Sequence, residues 1–319
     1  MQKFTLSLAA LSTLLLTGTA MAAPSVVAST KPVHALVAAV MGDVGAPGLI
    51  VKGAASPHSY SLRPSDAATL EAADIVFWTG HGMELFLADA LETLPINAEV
   101  VELADSPGIE LLPVREGGAF EPHMHEGEDG HDHGHDHGDH ADHDHHHEGE
   151  GDMHFWLDPE NAKLMVTQIA TVLSEADPEN ASTYQANAEA EQVRLDALTE
   201  DLRETLAPIA GKPFIVFHDA YQYFENRFGL EVAGSITVSP EAMPGAARID
   251  ELRAKVSELG ATCVFAEPNF QPAIVNTIIE GTEAKAGTLD PEGAALTEGP
   301  ELYSNLLHGL ANGLLECLG

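Results

Sequence analysis

Between residues 178 and 206 the chain runs without an internal Gly or Pro and is rich in Ala, Glu and Leu. Ala181, Tyr184, Ala188, Leu195, Leu198, Leu202 and Leu206 recur at helical steps, and Glu191 is the one polar break in that stripe. The spacing predicts a single amphipathic helix of about eight turns, ~43 Å at 1.5 Å per residue. A helix of that length exceeds what a small domain needs to cover one sheet. Such a helix would serve as a rigid strut running along both lobes; two shorter helices with a kink are the alternative, though no breaker residue supports them.

On either side of the strut, short β-rich runs alternate with helical patterns. In the first half, strands are predicted at 25–29, 48–51, 74–78 and 99–103, with helices at 32–41 and 83–94. A further helix begins near Asp158. In the second half, strands are predicted at 214–217, 230–232, 263–266 and 287–289, with helices at 221–228, 247–259, 272–284 and 303–318. Strands separated by single helices imply right-handed crossovers and mostly parallel sheets. The expected class is α/β: two lobes, each a mostly parallel sheet with flanking helices, joined by one long rigid helix. The expected boundaries are a leader at 1–22, a first lobe at 23–177, the linking helix at 178–207 and a second lobe at 208–319. A cleft between two such lobes is the default ligand site.

The first residues speak to compartment. Lys3 precedes an apolar and hydroxylic run from Phe4 to Leu16, and Ala20-Met21-Ala22 fits the small-residue cleavage rule for an export leader. That apolar core is too short for a permanent membrane span, and no later stretch reaches about 18 apolar residues. Neither cysteine lies at the cleavage site, so lipid anchoring is not expected. The reading is a soluble, exported, periplasmic protein. In an oxidising compartment Cys263 and Cys317 are expected to pair, the alternative being two free buried thiols. Closing that loop of 55 residues would stabilise the fold by about 4 kcal/mol.

Charge narrows the partners. Lys and Arg number 14 against 50 Asp and Glu, a formal net charge of −36, so a nucleic-acid partner is not expected. Of 17 histidines, eleven fall in one acidic tract: His123, His125, His131, His133, His135, His137, His140, His143, His145, His146 and His147. From residue 121 to 152 there is no Lys, Arg or β-branched residue, so this part of the loop at about 116–152 is unable to bury a core. Its imidazoles and carboxylates suit borderline cations such as Zn²⁺, Cu²⁺ and Ni²⁺ at several weak, exchangeable sites. A solvated linker that binds nothing is the bland alternative.

The isolated histidines carry the sharper signal. His58 follows Ala-Ala-Ser-Pro after a strand, His154 sits in Met-His-Phe-Trp-Leu-Asp-Pro, and His218 ends Phe-Ile-Val-Phe. Each lies near an element end, where open α/β sheets gather ligands. Three imidazoles plus a carboxylate or water form a familiar tetrahedral zinc shell. Taken singly, each is more often a hydrogen-bonded structural histidine, and His34, His81 and His308 keep that reading. Spacings of 96 and 64 residues do not by themselves bring the three together.

Five blocks in combination resemble the zinc-specific substrate-binding proteins of ABC importers, the ZnuA family. They are 53–66 (Gly-Ala-Ala-Ser-Pro-His-Ser-Tyr-Ser-Leu-Arg-Pro-Ser-Asp), 153–159, 216–221 (Val-Phe-His-Asp-Ala-Tyr), 261–272 and 287–291 (Gly-Thr-Leu-Asp-Pro), with the acidic His-rich insertion ahead of the second. The resemblance spans nearly the whole mature chain. It implies Zn²⁺ held in the cleft by His58, His154 and His218, and a Cys263–Cys317 disulfide. It also implies delivery to the membrane permease of an ABC zinc importer, with a periplasmic zinc chaperone as a further candidate partner, by a monomer. Some relatives carry Glu just before the first histidine, where this chain has Pro57. The fourth ligand is then Asp290, which matches an Asp used by related manganese and zinc binders, or water. Ser235 stands where some zinc members have His, so an auxiliary site shared with the loop lacks that anchor.

Competing functions remain in view. Another divalent-metal binder, for manganese or iron, and a stand-alone metal buffer share these ligands. An exported zinc hydrolase would also use three histidines and a water. Against it, the chain has no His-Glu-x-x-His and no Gly-x-Ser-x-Gly. Glu267 and Asp219, acids near strand ends, are explained as well by hydrogen bonding to ligands or helix capping. The expectation is capture rather than catalysis.

Overall fold

The computed structural model describes residues 23–94, 97–115, 120, 151–237, 244–260, 263–268 and 272–319. The expected leader at 1–22 and all eleven histidines of the acidic tract lie outside the described residues.

Two four-stranded sheets form, and every strand pairing in them is parallel. The first has the order β2-β1-β3-β4, from β1 (Val26–Ala28), β2 (Gly48–Leu49), β3 (Ile75–Trp78) and β4 (Glu99–Glu102). The second has the order β6-β5-β7-β8, from β5 (Pro213–His218), β6 (Glu231–Thr237), β7 (Cys263–Ala266) and β8 (Lys285–Thr288). The central strands read Val-Val-Ala, Ile-Val-Phe-Trp and Cys-Val-Phe-Ala and are buried along their whole length, as parallel strands covered on both faces must be. The first lobe contributes helices α1 (Lys31–Met41), α2 (Pro64–Glu71), α3 (Leu85–Thr93) and α4 (Pro159–Ala176). After the strut come α6 (Gln222–Phe228), α7 (Ala246–Leu259), α8 (Pro272–Ile279) and α9 (Leu302–Leu318).

The strut, α5, spans Ala181–Leu206, 26 residues or about 39 Å. Of the expected stripe, Tyr184, Ala188, Leu195, Leu198, Leu202 and Leu206 are buried, while Ala181, at the helix start, is half-buried; Glu191 is buried and bonded to Arg194 Nε at 2.7 Å. It starts at Ala181 rather than at 178 because Asp177 closes a turn there. That carboxylate accepts from Asn180 Nδ2 at 2.7 Å and from Tyr184 OH at 2.9 Å, which separates α4 from α5.

One apolar core runs through both halves, and polar ties cross between them. Lys31 Nζ, in a side chain 6% exposed, donates to the carbonyls of Gly293, Ala294 and Leu296. Trp156 Nε1 donates to Pro291 O at 3.1 Å, and Tyr303 OH donates to Trp156 O at 2.6 Å. Arg227 forks onto Asp158, whose Oδ1 also caps α4 by accepting from Glu160 N. Cys263 and Cys317 form a disulfide across a separation of 54 residues, pinning α9 to the second sheet.

Three local expectations move. The end of the 53–66 block and the residues after it form α2, which starts at Pro64 and is capped by Arg63 N donating to Asp66 Oδ2 at 3.0 Å. Helix α8 stops at Ile279 instead of 284, because Thr282 Oγ1 caps the Ile279 carbonyl at 2.8 Å and Gly281 turns through a positive φ of 79°. Strand β8 lies at 285–288 rather than 287–289. As an edge strand of Lys-Ala-Gly-Thr it buries no residue fully and gives no hydrophobic run to read.

Candidate metal centre

The C-terminal ends of the two sheets bring three distant histidines together. His218 is the last residue of β5, which places its ring at the sheet edge. His154 precedes a tight turn at Phe155–Leu157 that leads into α4. His58 sits in the loop from β2 to α2, and Tyr60 holds that loop. The Tyr60 hydroxyl donates to Asp66 Oδ2 at 2.8 Å, and its ring packs 5.0 Å from Phe86. One ligand atom from each of the three histidines lies within 4.8 Å of the other two. His154 and His218 approach through Nε2 at 3.2 Å. Two nitrogens on a tetrahedral zinc, at about 2.05 Å from the metal, stand about 3.3 Å apart.

Two carboxylates set the tautomers. His154 Nδ1 lies 2.8 Å from Asp152 Oδ1, and His218 Nδ1 lies 2.6 Å from Glu267 Oε1. With each Nδ1–H donated outward, each Nε2 carries a lone pair aimed inward. His58 Nε2 is buried and has no hydrogen-bond partner among the described residues. Three imidazole nitrogens thus converge, two of them held as acceptors by the carboxylates behind them, an arrangement that suits a bound cation.

Electrostatics agree. Burial holds the His58 imidazole well below its usual pKa of 6.5, and neighbouring His154 and His218 push it in the same direction. Burial pushes the Asp152 carboxyl up, but the bond to His154 outweighs it and the net shift is downward. His154 and His218 are 7% and 3% exposed. Two of the three rings are thus buried, each with a carboxylate behind it.

Asp290 does not join the gathered group. Its carboxylate accepts from the backbone N–H of Glu292 (3.3 Å), Ala294 (3.0 Å) and Ala295 (3.3 Å). His34, His81 and His308 take structural partners: Pro47 O at 3.1 Å, Glu102 at 2.8 Å and Ser304 O at 2.8 Å. Glu267 serves a ligand, as one reading of its place near a strand end has it. Asp219 instead pairs with Arg115. Asp152 and its supporter Gln222 were missed at the sequence level. Asp152 closes the acidic tract, where its eleven neighbouring acids conceal it.

Residues 26–317 match the profile of a protein family described as ZnuA, zinc-uptake complex component A, periplasmic. The chain belongs to the ZnuA family. A high-affinity zinc uptake system protein ZnuA from Brucella abortus is 53% identical over 304 residues, covering 92% of this chain and 91% of that protein. The ZnuA protein of Yersinia pestis is 38% identical over 298 residues, at 93% and 92% coverage. Among solved structures, a laminin-binding adhesin of Streptococcus agalactiae superposes with a TM-score of 0.73 at 27% identity. That match covers 93% of this chain and all of that one. The two-lobed α/β architecture of this ZnuA-family chain is thus shared with relatives of quite different sequence.

Proposed function

We propose that this chain captures Zn²⁺ in the periplasm with His58, His154 and His218 and hands it to the membrane permease of an ABC zinc importer. The observation that carries this reading is the convergence of three imidazole nitrogens, two of them on rings oriented by the carboxylates of Asp152 and Glu267. Family membership supports zinc as the cargo, because the family is the periplasmic component of a zinc-uptake complex. Water takes the fourth position, since Asp290 would have to give up three backbone bonds to reach the ion. That open position gives the ion an exit by ligand exchange. The acidic tract acts as an auxiliary weak zinc site ahead of the centre. The protein works as a monomer, with residues 1–22 removed on export and residues 23–177, 178–207 and 208–319 as lobe, strut and lobe.

The test is competitive zinc titration with metal counting on residues 23–319, intact and lacking 121–150. The cut stops before Gly151 because Gly151 pairs with Pro113. The expected result is one tight site in both proteins, with additional weak sites only in the intact one. His154→Ala should abolish the tight site. Tight binding that survives His154→Ala, or disappears with the tract, would place the principal site elsewhere.

A further inference from the structure

Resting on that reading, we infer that Arg115 and Gln222 are positioning residues that tie the two ligand-bearing segments together across the lobes and set how fast the metal leaves. The tie is built at the neck of the acidic insertion. Arg115 lies on the incoming side of the neck, and Gly151-Asp152 on its outgoing side. The two sides meet at an antiparallel bridge between Pro113 and Gly151, and Asp152 N donates to Leu112 O at 2.7 Å.

Both sides of the neck are fastened to the second lobe. Arg115 reaches Asp219, the residue after His218, with Nε at 2.9 Å and a second, shorter contact from its other guanidinium arm. Its remaining arm donates to Glu225 Oε2 at 2.6 Å, and its guanidinium lies 4.3 Å from the Phe120 ring. On the outgoing side, Gln222 Nε2 donates to Asp152 Oδ2 at 3.2 Å and to Pro113 O at 3.1 Å. The other oxygen of Asp152 holds both the ring and the backbone N–H of His154, at 2.8 and 3.0 Å.

The arrangement has a direct mechanical meaning. His154 belongs to the first half of the chain, yet the carboxylate that orients it is held by α6 of the second. His218 belongs to the second half, yet its neighbour Asp219 is clamped by an arginine of the first. If the lobes part, both supports break as the ligands separate. The ion pairs are partly shielded: side-chain exposure is 21% for Arg115, 11% for Asp219 and 14% for Glu225. A bidentate guanidinium–carboxylate pair is also directional, so Lys is no substitute for Arg there.

The experiment uses the whole mature chain carrying Arg115→Ala, Arg115→Lys or Gln222→Ala, with His154→Ala beside them. Zinc dissociation is followed by stopped flow into excess chelator, and the site geometry by the visible spectrum of the Co²⁺ form. Loss of an outer-sphere support typically costs ten- to a hundredfold in metal affinity, and changes within one binding site fall mainly on dissociation. Arg115 acts through Asp219 and Gln222 through Asp152, one step beyond such a support, so Arg115→Ala and Gln222→Ala are each expected to speed zinc release by several-fold, up to about tenfold. Arg115→Lys should not restore the wild-type rate, and the Co²⁺ bands should shift in both alanine variants. In the metal-free protein, amide exchange at residues 152–154 and 218–220 should rise. Variants that fold and lose stability, yet keep the wild-type release rate and Co²⁺ spectrum, would overturn the inference. If Arg115→Ala does not fold, the neutral change Gln222→Ala decides alone. Tight binding retained in His154→Ala would instead refute the zinc reading itself, so the two failures are separable.

Discussion

Glu84 offers a sharp test of the physics of the cleft. The residue is fully buried just before α3, and its carboxylate accepts from the backbone after β3, from Gly80 N at 2.9 Å and Thr79 N at 3.3 Å. Burial raises its pKa from 4.5 to about 7, against the opposing pull of those bonds. The sign follows from proton linkage. The folded state keeps a proton that the unfolded chain has already released between pH 4.5 and about 7. Glu84 therefore favours folding fully below pH 4.5, and that contribution is lost as pH rises through about 7. Each pH unit of the gap is worth about 1.4 kcal/mol, so the whole amounts to about 3 kcal/mol. Glu84→Gln keeps the shape and an acceptor oxygen for Gly80 but cannot ionise. At about pH 5 the variant and the parent should unfold at similar denaturant concentrations, while at about pH 8 the variant should be the more stable by roughly 3 kcal/mol. The assay is urea unfolding of the metal-free protein at both pH values. A stability difference that stays flat with pH would refute the argument that this carboxyl is held protonated by burial.

Further outcomes follow from the same structure. Replacing Cys263 and Cys317 by Ser should cost about 4 kcal/mol through the entropy of the freed loop, read as a lower denaturation midpoint, with zinc stoichiometry of the folded protein unchanged. Zinc affinity should hold through about pH 6.5, the ordinary imidazole value, and fall only well below it. Burial holds the His58 imidazole well below its usual pKa of 6.5, so this ring offers its lone pair at pH values where a free imidazole is protonated; a loss of affinity centred at about pH 6.5 would refute this. Lys31→Met should destabilise the protein by about 3 kcal/mol in thermal or urea unfolding, because it strands the carbonyls of Gly293, Ala294 and Leu296 without a donor.

What could be read from the chain alone divides along physical lines. Wherever burial writes a continuous apolar run, as at Ile75–Trp78 or Cys263–Ala266, the strand falls where the sequence places it. Edge strand β8 carries no such run, so its register comes only from pairing with β7, Cys263 opposite Lys285 through Ala266 opposite Thr288. Helix α2 was legible in principle, because Pro64 at its first turn and Asp66 reaching back to Arg63 N are an N-terminal signature. The three histidines could be chosen by their position at strand ends, but their meeting depends on the packing of two sheets and is not encoded in spacing. Their supports were harder still. Gln222 and Asp152 lie 70 residues apart and Arg115 and Asp219 104 apart, with no periodicity linking either pair.

The geometry also bears on which ion the centre prefers. Three imidazoles bind copper more strongly than zinc on intrinsic affinity, so selectivity must come from shape. Neighbouring nitrogens around square-planar Cu²⁺, at about 2.0 Å from the metal, stand about 2.8 Å apart, against about 3.3 Å for a tetrahedron. The 3.2 Å between His154 and His218 matches the tetrahedron. Each of these rings is anchored to a carboxylate on its far side, so narrowing the gap would stretch a bond of 2.8 Å to Asp152 or one of 2.6 Å to Glu267. Those two carboxylates thus fix the tautomer, raise the basicity of the donor nitrogens and resist the contraction that a planar ion would demand.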